Sequence, residues 1–595
     1  MSSLRFAGLA ILLLVVSPFC RAALFYLDSS NGGTHNGTSW ATAWNDVSQI
    51  TGVGAGDTIY ISGGASGGSQ TYTRTTYWVP PSGSGSGVVT LQIGQDALHN
   101  GTAIFNATSS TNWITGMDYF YVSGDAGDSQ CHIKLTGSFY AMGDNCSHTR
   151  VSYVEADTLT GLSYAMIWTS SATGMEFDHN LVKVTDLSSS DYAMSLGTTD
   201  TAFDVNKIHD NYIQVPVLFS GLNVLNGNGC DAIQGGSGVS VYNNKIEGYN
   251  AAYLPGQHAD GWQCQAGAYL KFYKNTIINI PNYGFYGDAR VGGFSHTWVY
   301  DNLFVVTAST MQSGSAVVIG VDGGYTGTQP CPFADVIISN NLQVNYGTGN
   351  GNTSCYSCNN NTAFTATFTG VFVVNNCAVD GASSIDTTGN TGSTYSGNTF
   401  LTNAAAPSNF VSYTRFAGIS NDYHLTAGAT TLIGVGQNMS AYYTTDFSGT
   451  TWTTWSSGIY YYNAGATAPL FSSASVPTSG ASISIVFDQS CTTGVGGATG
   501  MSVTASGGAV TLSYSSGSGS STYVYNTSRT INSGETVSNL SYVQPGSGIA
   551  GTTGSIDVAS FSGKAVTNNS TQGSGSTGGS SMLGKVTLSG KVSIK

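Results

Sequence analysis

Short stretches in which apolar and polar residues alternate recur through the middle of the chain, and each contains a fixed asparagine. They read MEFDHNLVKV, NKIHDNYIQV, VSVYNNKIEG, YLKFYKNTII, HTWVYDNLFV, DVIISNNLQV, VFVVNNCAVD and, more weakly, TYSGNTFLT. Alternation with a period of two is typical of β-strands that bury one face. The aligned asparagines follow one another at intervals of 22 to 39 residues, and they are Asn180, Asn211, Asn244, Asn275, Asn302, Asn341, Asn376 and Asn398.

The apolar positions keep one register relative to these asparagines. Three residues before the first seven stand Phe177, Ile208, Val241, Phe272, Val299, Ile338 and Val373. Two residues after the first five stand Val182, Ile213, Ile246, Ile277 and Phe304. A strand with a fixed turn residue, repeated at a coil-sized interval, predicts a parallel β-solenoid. Stacked coils would align the asparagines, so that each side chain hydrogen-bonds the equivalent one above and below it.

Two further segments carry a family resemblance. LDSSNGGTHNGTSWATAWNDVSQITGVGAGDTIYISGG leads towards the first repeat, and NDYHLTAGATTLIGVGQNMS follows the last one. With the repeats, they resemble the right-handed parallel β-helix of the pectin-lyase-like superfamily over residues 23–463. The resemblance implies an all-β fold and a secreted, carbohydrate-active protein. It does not specify the reaction, because the same solenoid occurs in lyases, hydrolases, epimerases, adhesins and phage tailspikes.

The pattern changes after residue 463. APLFSSASVPTSGASISIVFDQS and MSVTASGGAVTLSYSS read as short alternating strands separated by Gly/Ser turns. They predict a β-sandwich over residues 464–570, and they resemble the SwmB-type, immunoglobulin-like repeats of bacterial surface proteins. Residues 571–595 read as a Gly/Ser linker and a short tail. We expect the sandwich to serve in attachment to a cell surface or as a spacer.

The N-terminus and the composition indicate where the protein works. Residues 1–22 carry Arg5, the apolar run GLAILLLVV and a small-residue boundary, which predicts a secretory signal peptide. No later run approaches the length of a membrane span, so we expect a secreted or cell-surface protein. A net charge of −14 with only 17 Lys and Arg argues against nucleic acid and favours a polysaccharide partner. In an oxidising compartment, disulfides would suit the neighbouring cysteines Cys131, Cys146, Cys331, Cys355, Cys358 and Cys377.

The stretches GNGCDAIQGG and GQHADGWQCQ each place an aspartate three residues before a glutamine. Counted back from the repeat asparagines, Asp231, Asp260 and Asp288 lie 13, 15 and 14 residues before theirs. The three carboxylates are therefore predicted to stack on consecutive coils, about 4.8 Å apart. Gln234 and Gln263 are predicted to stack beside the first two and to contact substrate.

Stacked carboxylates repel one another, so they would share a proton or bind a cation. A shared proton would supply the general acid and base of a glycoside hydrolase. Asp231 and Asp288, about 9.6 Å apart on alternate coils, would suit an inverting pair. Ca²⁺ held by Asp231, Asp260 and Asp288 would instead suit a lyase that acts on uronic acids. No other cofactor is required.

His258 and Arg290 complete the predicted catalytic set. His258 lies two residues before Asp260 in HADGWQ, on the same face of an extended segment, and an imidazole carries protons near neutral pH. Arg290 would bind a substrate carboxylate or assist the base of a lyase. Pectin-degrading hydrolases of the superfamily are similar in carrying three acids, a His and an Arg or Lys. Their Asn-Thr-Asp, Asp-Asp, Gly-His-Gly and Arg-Ile-Lys motifs are absent as such here.

Each of these sites also has a structural interpretation. Aspartates followed by small residues commonly cap backbone N–H groups in turns. Tyr242, Tyr273 and Tyr300, each two residues before a repeat asparagine, would form a sugar-binding platform or simply a stabilising stack. His179 and His209, beside Asp178 and Asp210, are typical of solvated or turn-capping residues. The alternative to an enzyme is therefore a non-catalytic adhesin or a fibre or tailspike-like scaffold.

Overall fold

A computed structural model describes most of the chain, and its residues form two compact units. The first comprises Met1–Ala406, Gly434–Gln437 and Ser456–Ile459, and the second Pro407–Ile433, Asn438–Trp455 and Tyr460–Lys595. The described residues are 22–573, except for 75, 108–112, 138–141, 144–145, 160–163, 170, 185–191, 217–230, 250–258, 281, 290–291, 308–314, 322–330, 346–353, 361–365, 382, 463–467, 495–496, 546–547 and 553–556. The predicted signal peptide, apart from its last residue, and the end of the predicted tail lie outside them.

The first unit is a parallel β-helix of three long sheets, and successive coils add one strand to each. The first sheet contains Leu24–Leu27, Thr58–Ile61, Val89–Ile93, Phe120–Ser123, Arg150–Ser152, Glu176–Asp178, Asn206–His209, Val239–Tyr242, Gly267–Tyr273, Phe294–Tyr300, Cys331–Ser339, Ala366–Val374 and Ser393–Ser396. The second contains Ser69–Arg74, Thr102–Ala107, Ile133–Gly137, Val154–Leu159, Leu181–Val184, Tyr212–Pro216, Lys245–Tyr249, Thr276–Ile278, Leu303–Val305, Leu342–Val344, Cys377–Val379 and Thr399–Leu401.

The third sheet contains Ile114–Thr115, Met142–Gly143, Tyr164–Thr169, Tyr192–Leu196, Asp231–Gly235, Trp262–Cys264, Phe285–Asp288, Val317–Val321, Tyr356–Asn360 and Ile385–Asp386. Short 3-10 helices at Trp40–Thr42 and Val47–Gln49 precede the second coil. The all-β, solenoid prediction is confirmed. The predicted apolar register is buried in every coil, as in the inward column Phe177, Ile208, Val241, Phe272, Val299, Ile338 and Val373.

The predicted asparagine ladder is also confirmed, and it runs through all eight aligned residues. Asn275 shows the repeating unit. Its Oδ1 accepts from the backbone N–H of Asn244 at 3.0 Å and from Asn244 Nδ2 at 3.1 Å. Its Nδ2 donates to the carbonyl of Val241 and to Asn302 Oδ1. The hydrogen-bonding groups of each buried side-chain amide are thus satisfied, because the coil repeat supplies an identical partner on both sides.

The sharp bend before each ladder asparagine requires a left-handed backbone conformation. The residue that precedes the asparagine has a φ of 49–61° in seven consecutive coils, at His179, Asp210, Asn243, Lys274, Asp301, Asn340 and Asn375. Asn, Asp and His tolerate this region better than other residues that carry a Cβ. The recurring His-Asn, Asp-Asn and Asn-Asn pairs in the sequence therefore mark the corner between the first and second sheets.

The second unit contains two small sheets around its own core. One has the strands Leu512–Ser516, Ser520–Thr527, Ser482–Thr493, Phe471–Val476, Thr567–Asn568 and Ile549–Gly551, and the other has Met501–Ala505, Val537–Tyr542 and Phe561–Lys564. Most neighbouring strands are antiparallel, and Tyr523, Tyr525 and Tyr542 are buried in the core. The two-stranded pair Phe410–Ser412 and Asp422–Leu425, with the turn Gly418–Ser420, belongs to this unit and follows the short helix Ala406–Asn409.

Among the described residues, Cys131, Cys355, Cys358 and Cys377 do not form the disulfides that their sequence spacing suggested. Cys131, Cys264, Cys355, Cys358, Cys377 and Cys491 are free thiols, and all except Cys131 are buried. Burial raises the pKa of Cys358 to about 12, so this thiol is protonated and behaves as an apolar residue. Among the described residues, no helix is long and apolar enough to cross a membrane.

Candidate functional site

The predicted stacking of Asp231 and Asp260 is confirmed. Ile233 pairs with Trp262 in the third sheet, which places Asp231 opposite Asp260 on the next coil. Asp231 Oδ1 accepts the backbone N–H of Asp260 at 2.8 Å, and both side chains are buried. Asp260 Oδ1 in turn accepts from Asn282 Nδ2 and from the backbone N–H of Tyr283, both at 2.9 Å. The two carboxylates therefore cap backbone groups of the following coil.

Asp288 does not belong to this stack, so the prediction of three aligned carboxylates is wrong. Phe285 pairs with Trp262, and the residue opposite Asp260 is therefore Tyr283. Asp288 lies further along its strand, opposite Gly320, and is buried there. Two residues separate Cys264 from the next strand of the first sheet, whereas five separate Asp288 from its next strand. Counting back from the asparagine ladder misplaces Asp288 because this corner changes length.

The corrected register removes the geometric basis for the Asp231–Asp288 pair and for a calcium ion held by all three aspartates. Gln234 and Gln263 do stack, with Gln234 Nε2 donating to Gln263 Oε1 at 3.3 Å. Tyr286 occupies the equivalent place on the next coil. His258 and Arg290 lie outside the described residues, so the structure does not place them.

Replacement of Asp231 by asparagine is expected to remove a pH-dependent loss of stability. Burial, and then the charge of Asp260, raises the pKa of Asp231 well above its ordinary value. A folded-state pKa above the unfolded one means that the wild type loses stability as the pH rises from about 3.9 through the folded pKa. Asparagine does not ionise and keeps the acceptor for the Asp260 N–H. The free energy of unfolding of D231N, relative to wild type, should therefore increase between pH 4 and pH 7 in urea titrations.

Asp204 provides a control of opposite sign. Burial alone would raise its pKa, but hydrogen bonds from Lys271, at 2.7 Å, and Ser240, together with the charge of Lys271, hold that pKa below its ordinary value. D204N should therefore lose stability relative to wild type as the pH rises from the lowered folded-state pKa of Asp204 to somewhat above the unfolded value of about 3.9, which is a lower range than for D231N. If D231N stays at or below the wild type in stability at both pH values, the proposed burial cost of the Asp231 charge is refuted.

Tyr242, Tyr273 and Tyr300 form the predicted column on the outer face of the first sheet. Their ring centroids are 4.9 and 5.0 Å apart and the rings are nearly parallel. His209 extends the column, with its ring 4.6 Å from that of Tyr242. Because each ring covers the face of its neighbour, a sugar lying along the sheet would meet ring edges and hydroxyl groups. The stack stabilises the coils and does not present an open aromatic platform.

A cluster of ionisable side chains lies at the end of this column. We call it the acid–imidazole cluster, and it consists of Arg150, Glu176, Asp178, His179, His209 and Asp210. Three strands of the first sheet bring it together, since Arg150 pairs with Glu176, and Asp178 pairs with His209 on the next coil. Side-chain exposure is 42% for Arg150 and 33% for Glu176, so the cluster faces solvent at one side.

Arg150 and His179 converge on Asp178. The guanidinium donates from Nε and Nη2 to the two carboxylate oxygens at 2.8 and 2.7 Å, and His179 Nδ1 is 2.8 Å from Oδ2. The Asp178 carboxylate is fully buried, which alone would raise its pKa, but the hydrogen bonds from Arg150 and His179 hold that pKa below its ordinary value. The hydrogen bond to Asp178 raises the pKa of His179. Asp178 is thus an ionised anchor for the Arg150 guanidinium and the His179 imidazole.

Glu176, His209 and Asp210 form a second line of contacts. His209 Nδ1 is 2.7 Å from Asp210 Oδ2, and its Nε2 is 3.3 Å from Glu176 Oε1. With Nδ1–H donating to Asp210, a neutral ring offers only a lone pair at Nε2, and an ionised Glu176 offers only lone pairs as well. A hydrogen bond between these two atoms therefore requires one additional proton, which either group can hold. This is the arrangement of a proton donor and acceptor pair.

From the sequence alone, His179 and His209 were expected to be solvated or turn-capping residues without a function. The signal that points to them is the recurrence of an acidic neighbour, as Asp178 before His179 and Asp210 after His209. Glu176 and Arg150 carry no such signal, because their proximity depends on pairing between coils. The cluster as a whole is therefore visible only in the folded sheet.

Comparisons with known proteins leave the reaction open. No family model and no curated protein sequence matches the chain. Among solved structures, pectate lyase Pel9A is similar, with 12% identity and a TM-score of 0.34, over 74% of this chain and 96% of that one. A GH136 lacto-N-biosidase from Eubacterium ramulus is similar with 10% identity and a TM-score of 0.29, over 63% of this chain and 68% of that one. Likenesses at this level do not identify the reaction.

Proposed function

We propose that the protein is a secreted enzyme that cleaves a polysaccharide bound along the outer face of the first sheet. The observation that carries this proposal is the partly exposed Glu176–His209–Asp210 line of contacts, in which one imidazole lies within hydrogen-bonding distance of two carboxylates. Cleavage of a glycosidic bond, by hydrolysis or by β-elimination, needs a proton donor at the leaving oxygen and a base. Glu176 and His209 supply these groups, and Asp210 fixes the orientation of the imidazole.

The outer face of the first sheet also suits an extended polymer. The coils repeat about every 4.8 Å, so each outward position recurs as a column parallel to the helix axis. One column contains Tyr121, Arg150, Glu176, Lys207, Ser240, Lys271 and Trp298, and the other contains Ser152, Asp178, His209, Tyr242, Tyr273 and Tyr300. The partly exposed members of these columns, such as Arg150, Glu176, Lys207 and Lys271, repeat hydrogen-bonding groups along one direction, and these match the repeated hydroxyl groups of a polysaccharide.

The predicted site around Asp231 and Asp260 is less suited to catalysis. Both carboxylates are buried and accept backbone N–H groups, whereas a catalytic acid or base must reach the proton that it transfers. This geometry instead favours the alternative function, a non-catalytic adhesin or fibre scaffold, if the first sheet proves inactive. In either case, we propose that the C-terminal sandwich attaches the protein to a cell surface.

Incubation of the mature protein with pectic, alginate-like and neutral polysaccharides tests the proposal. New reducing ends and the ultraviolet absorbance of unsaturated uronates are recorded in the same samples, with and without Ca²⁺. Reducing ends without absorbance would identify a hydrolase, and both signals together would identify a lyase. Loss of activity with a chelator would indicate that a metal ion takes part in catalysis. Neither signal on any substrate would refute the enzyme and leave the scaffold.

A further inference from the structure

A second group of ionisable residues lies in the C-terminal unit. In the sequence, these residues are distant from Glu176, His209 and Asp210. Asp422 and His424 belong to the strand Asp422–Leu425, and Asp557 precedes the strand Phe561–Lys564. Each of the three offers one ligand atom, and these atoms all lie within 4.8 Å of one another. All three side chains are buried. The fold therefore brings two distant chain segments together at a set of three metal-binding donors.

The hydrogen bonds of His424 leave one ring nitrogen available. Nδ1 lies 2.6 Å from Asp422 Oδ1, and the ring stacks on Tyr460 with centroids 3.9 Å apart. Nε2 is buried and has no hydrogen-bond partner among the described residues. A carboxylate that holds Nδ1–H fixes the tautomer in which Nε2 carries the lone pair, and this is how metal-binding histidines are usually oriented. A buried imidazole nitrogen without a partner otherwise costs free energy.

Charge balance at this place also favours a cation. Asp446 is a third buried carboxylate of the same unit, and it accepts from Ser448 Oγ, from the backbone N–H of Thr450 and from that of Tyr461. The ion pairs formed by the described residues give Asp422 a single partner, His424. In the acid–imidazole cluster, by contrast, the Arg150 guanidinium neutralises Asp178. Buried carboxylates without such a cation are expensive unless a proton or a metal ion compensates.

We propose that Asp422, His424 and Asp557 bind one Zn²⁺ ion that joins the two segments of the C-terminal unit. One imidazole nitrogen with two carboxylates is a donor set that suits Zn²⁺ better than Ca²⁺, which takes oxygen ligands. Ligands about 2.0–2.2 Å from a tetrahedral ion lie about 3.4 Å from one another, so small side-chain rotations complete the site. The role is structural, because all three donors are buried and come from two segments that are distant in the sequence. The proposal is independent of the proposed enzymatic function.

The test uses the mature protein, loaded with Zn²⁺, freed of excess metal by gel filtration and analysed for zinc by mass spectrometry. We expect about one zinc per chain, and a thermal transition that falls by several degrees after removal of the metal with a chelator. D557N and H424Q should each lose the zinc and the chelator-dependent shift. H99Q is the matched control, because His99 also pairs with an aspartate, Asp96, at 2.7 Å, but it belongs to no group of three potential ligands among the described residues.

Asparagine at position 557 also distinguishes a metal ion from a proton. If a proton on Asp557 compensates the charge, D557N mimics the protonated carboxyl, and the wild type binds no stoichiometric zinc and unfolds at the same temperature with and without chelator. That result would overturn the proposal, as would a D557N protein that retains one zinc per chain. If both variants fail to fold, the zinc content and the chelator response of the wild type still decide.

Discussion

Replacement of Asn275 by alanine is expected to lower the free energy of unfolding by about 3–5 kcal/mol. The change removes the acceptor for the backbone N–H and the Nδ2 of Asn244, and the donor to the carbonyl of Val241. These groups are buried, and each buried polar group left without a partner costs about 1–3 kcal/mol. The measurements are the urea midpoint and hydrogen exchange at the Asn244 amide, whose protection should fall most.

Asn398 is the matched control, because it ends the ladder. It accepts from the N–H and Nδ2 of Asn376 and donates to the carbonyl of Val373, but its contacts are only partly buried. Water reaches groups at such a site, so N398A should cost no more than about 1 kcal/mol. Equal effects of N275A and N398A would show that the ladder does not derive its strength from burial between identical coils.

Replacement of Glu176 by glutamine is expected to lower kcat/KM on the polysaccharide substrate by about 10²–10⁴-fold, the usual contribution of a general acid or base. Glutamine keeps the size and hydrogen-bonding reach of Glu176 but does not exchange a proton with His209. Fold and stability should change little, because Glu176 is partly exposed. Initial rates across a pH series check the prediction, and the variant should lose the ionisation that the wild-type profile assigns to the acid–base pair.

Glu155 is the matched control for this variant. It is also a partly exposed glutamate in an ion pair, with Lys134 at 2.5 Å, but it lies on the second sheet. E155Q should retain wild-type kcat/KM, since a partly exposed ion pair contributes little to stability and this one is not on the proposed active face. If E155Q and E176Q have the same activity, the assignment of catalysis to Glu176 is refuted.

The coil architecture could be predicted from the sequence because the same residue, an asparagine, occurs at the same corner of each repeat. Asn180 to Asn398 all stand at the same corner, and every one of them forms the predicted ladder contacts. The residue three positions before each of the first seven asparagines is buried with the same regularity. A ladder requires identical residues at identical places, so this part of the fold leaves a periodic signal that survives insertions elsewhere in the coil.

The position of Asp288 could not be predicted in the same way. The count from the ladder asparagine passes through the corner between the third and first sheets, and the length of that corner differs between adjacent coils. Asp231 and Asp260 lie 13 and 15 residues before their ladder asparagines, and they stack in spite of this difference. Spacing alone therefore does not separate a true column from a false one.

The two clusters of ionisable groups depend on contacts that no local pattern contains. Arg150 belongs to a coil that precedes the first recognised ladder asparagine, and it meets Glu176 through strand pairing. His424 and Asp557 are separated by more than a hundred residues and meet only through the packing of the C-terminal unit. In both clusters the sequence shows which residues are ionisable, but only the fold shows that they lie close together.

Catalysis at Glu176 is tested most directly by comparing E176Q and D231N on the polysaccharide that the wild-type protein degrades. If catalysis lies on the first sheet, E176Q should lose at least about 100-fold in kcat/KM, whereas D231N should keep wild-type activity because Asp231 caps a backbone N–H inside the coil. An inactive D231N that remains folded, together with an active E176Q, would refute catalysis at Glu176 and place it at the third sheet.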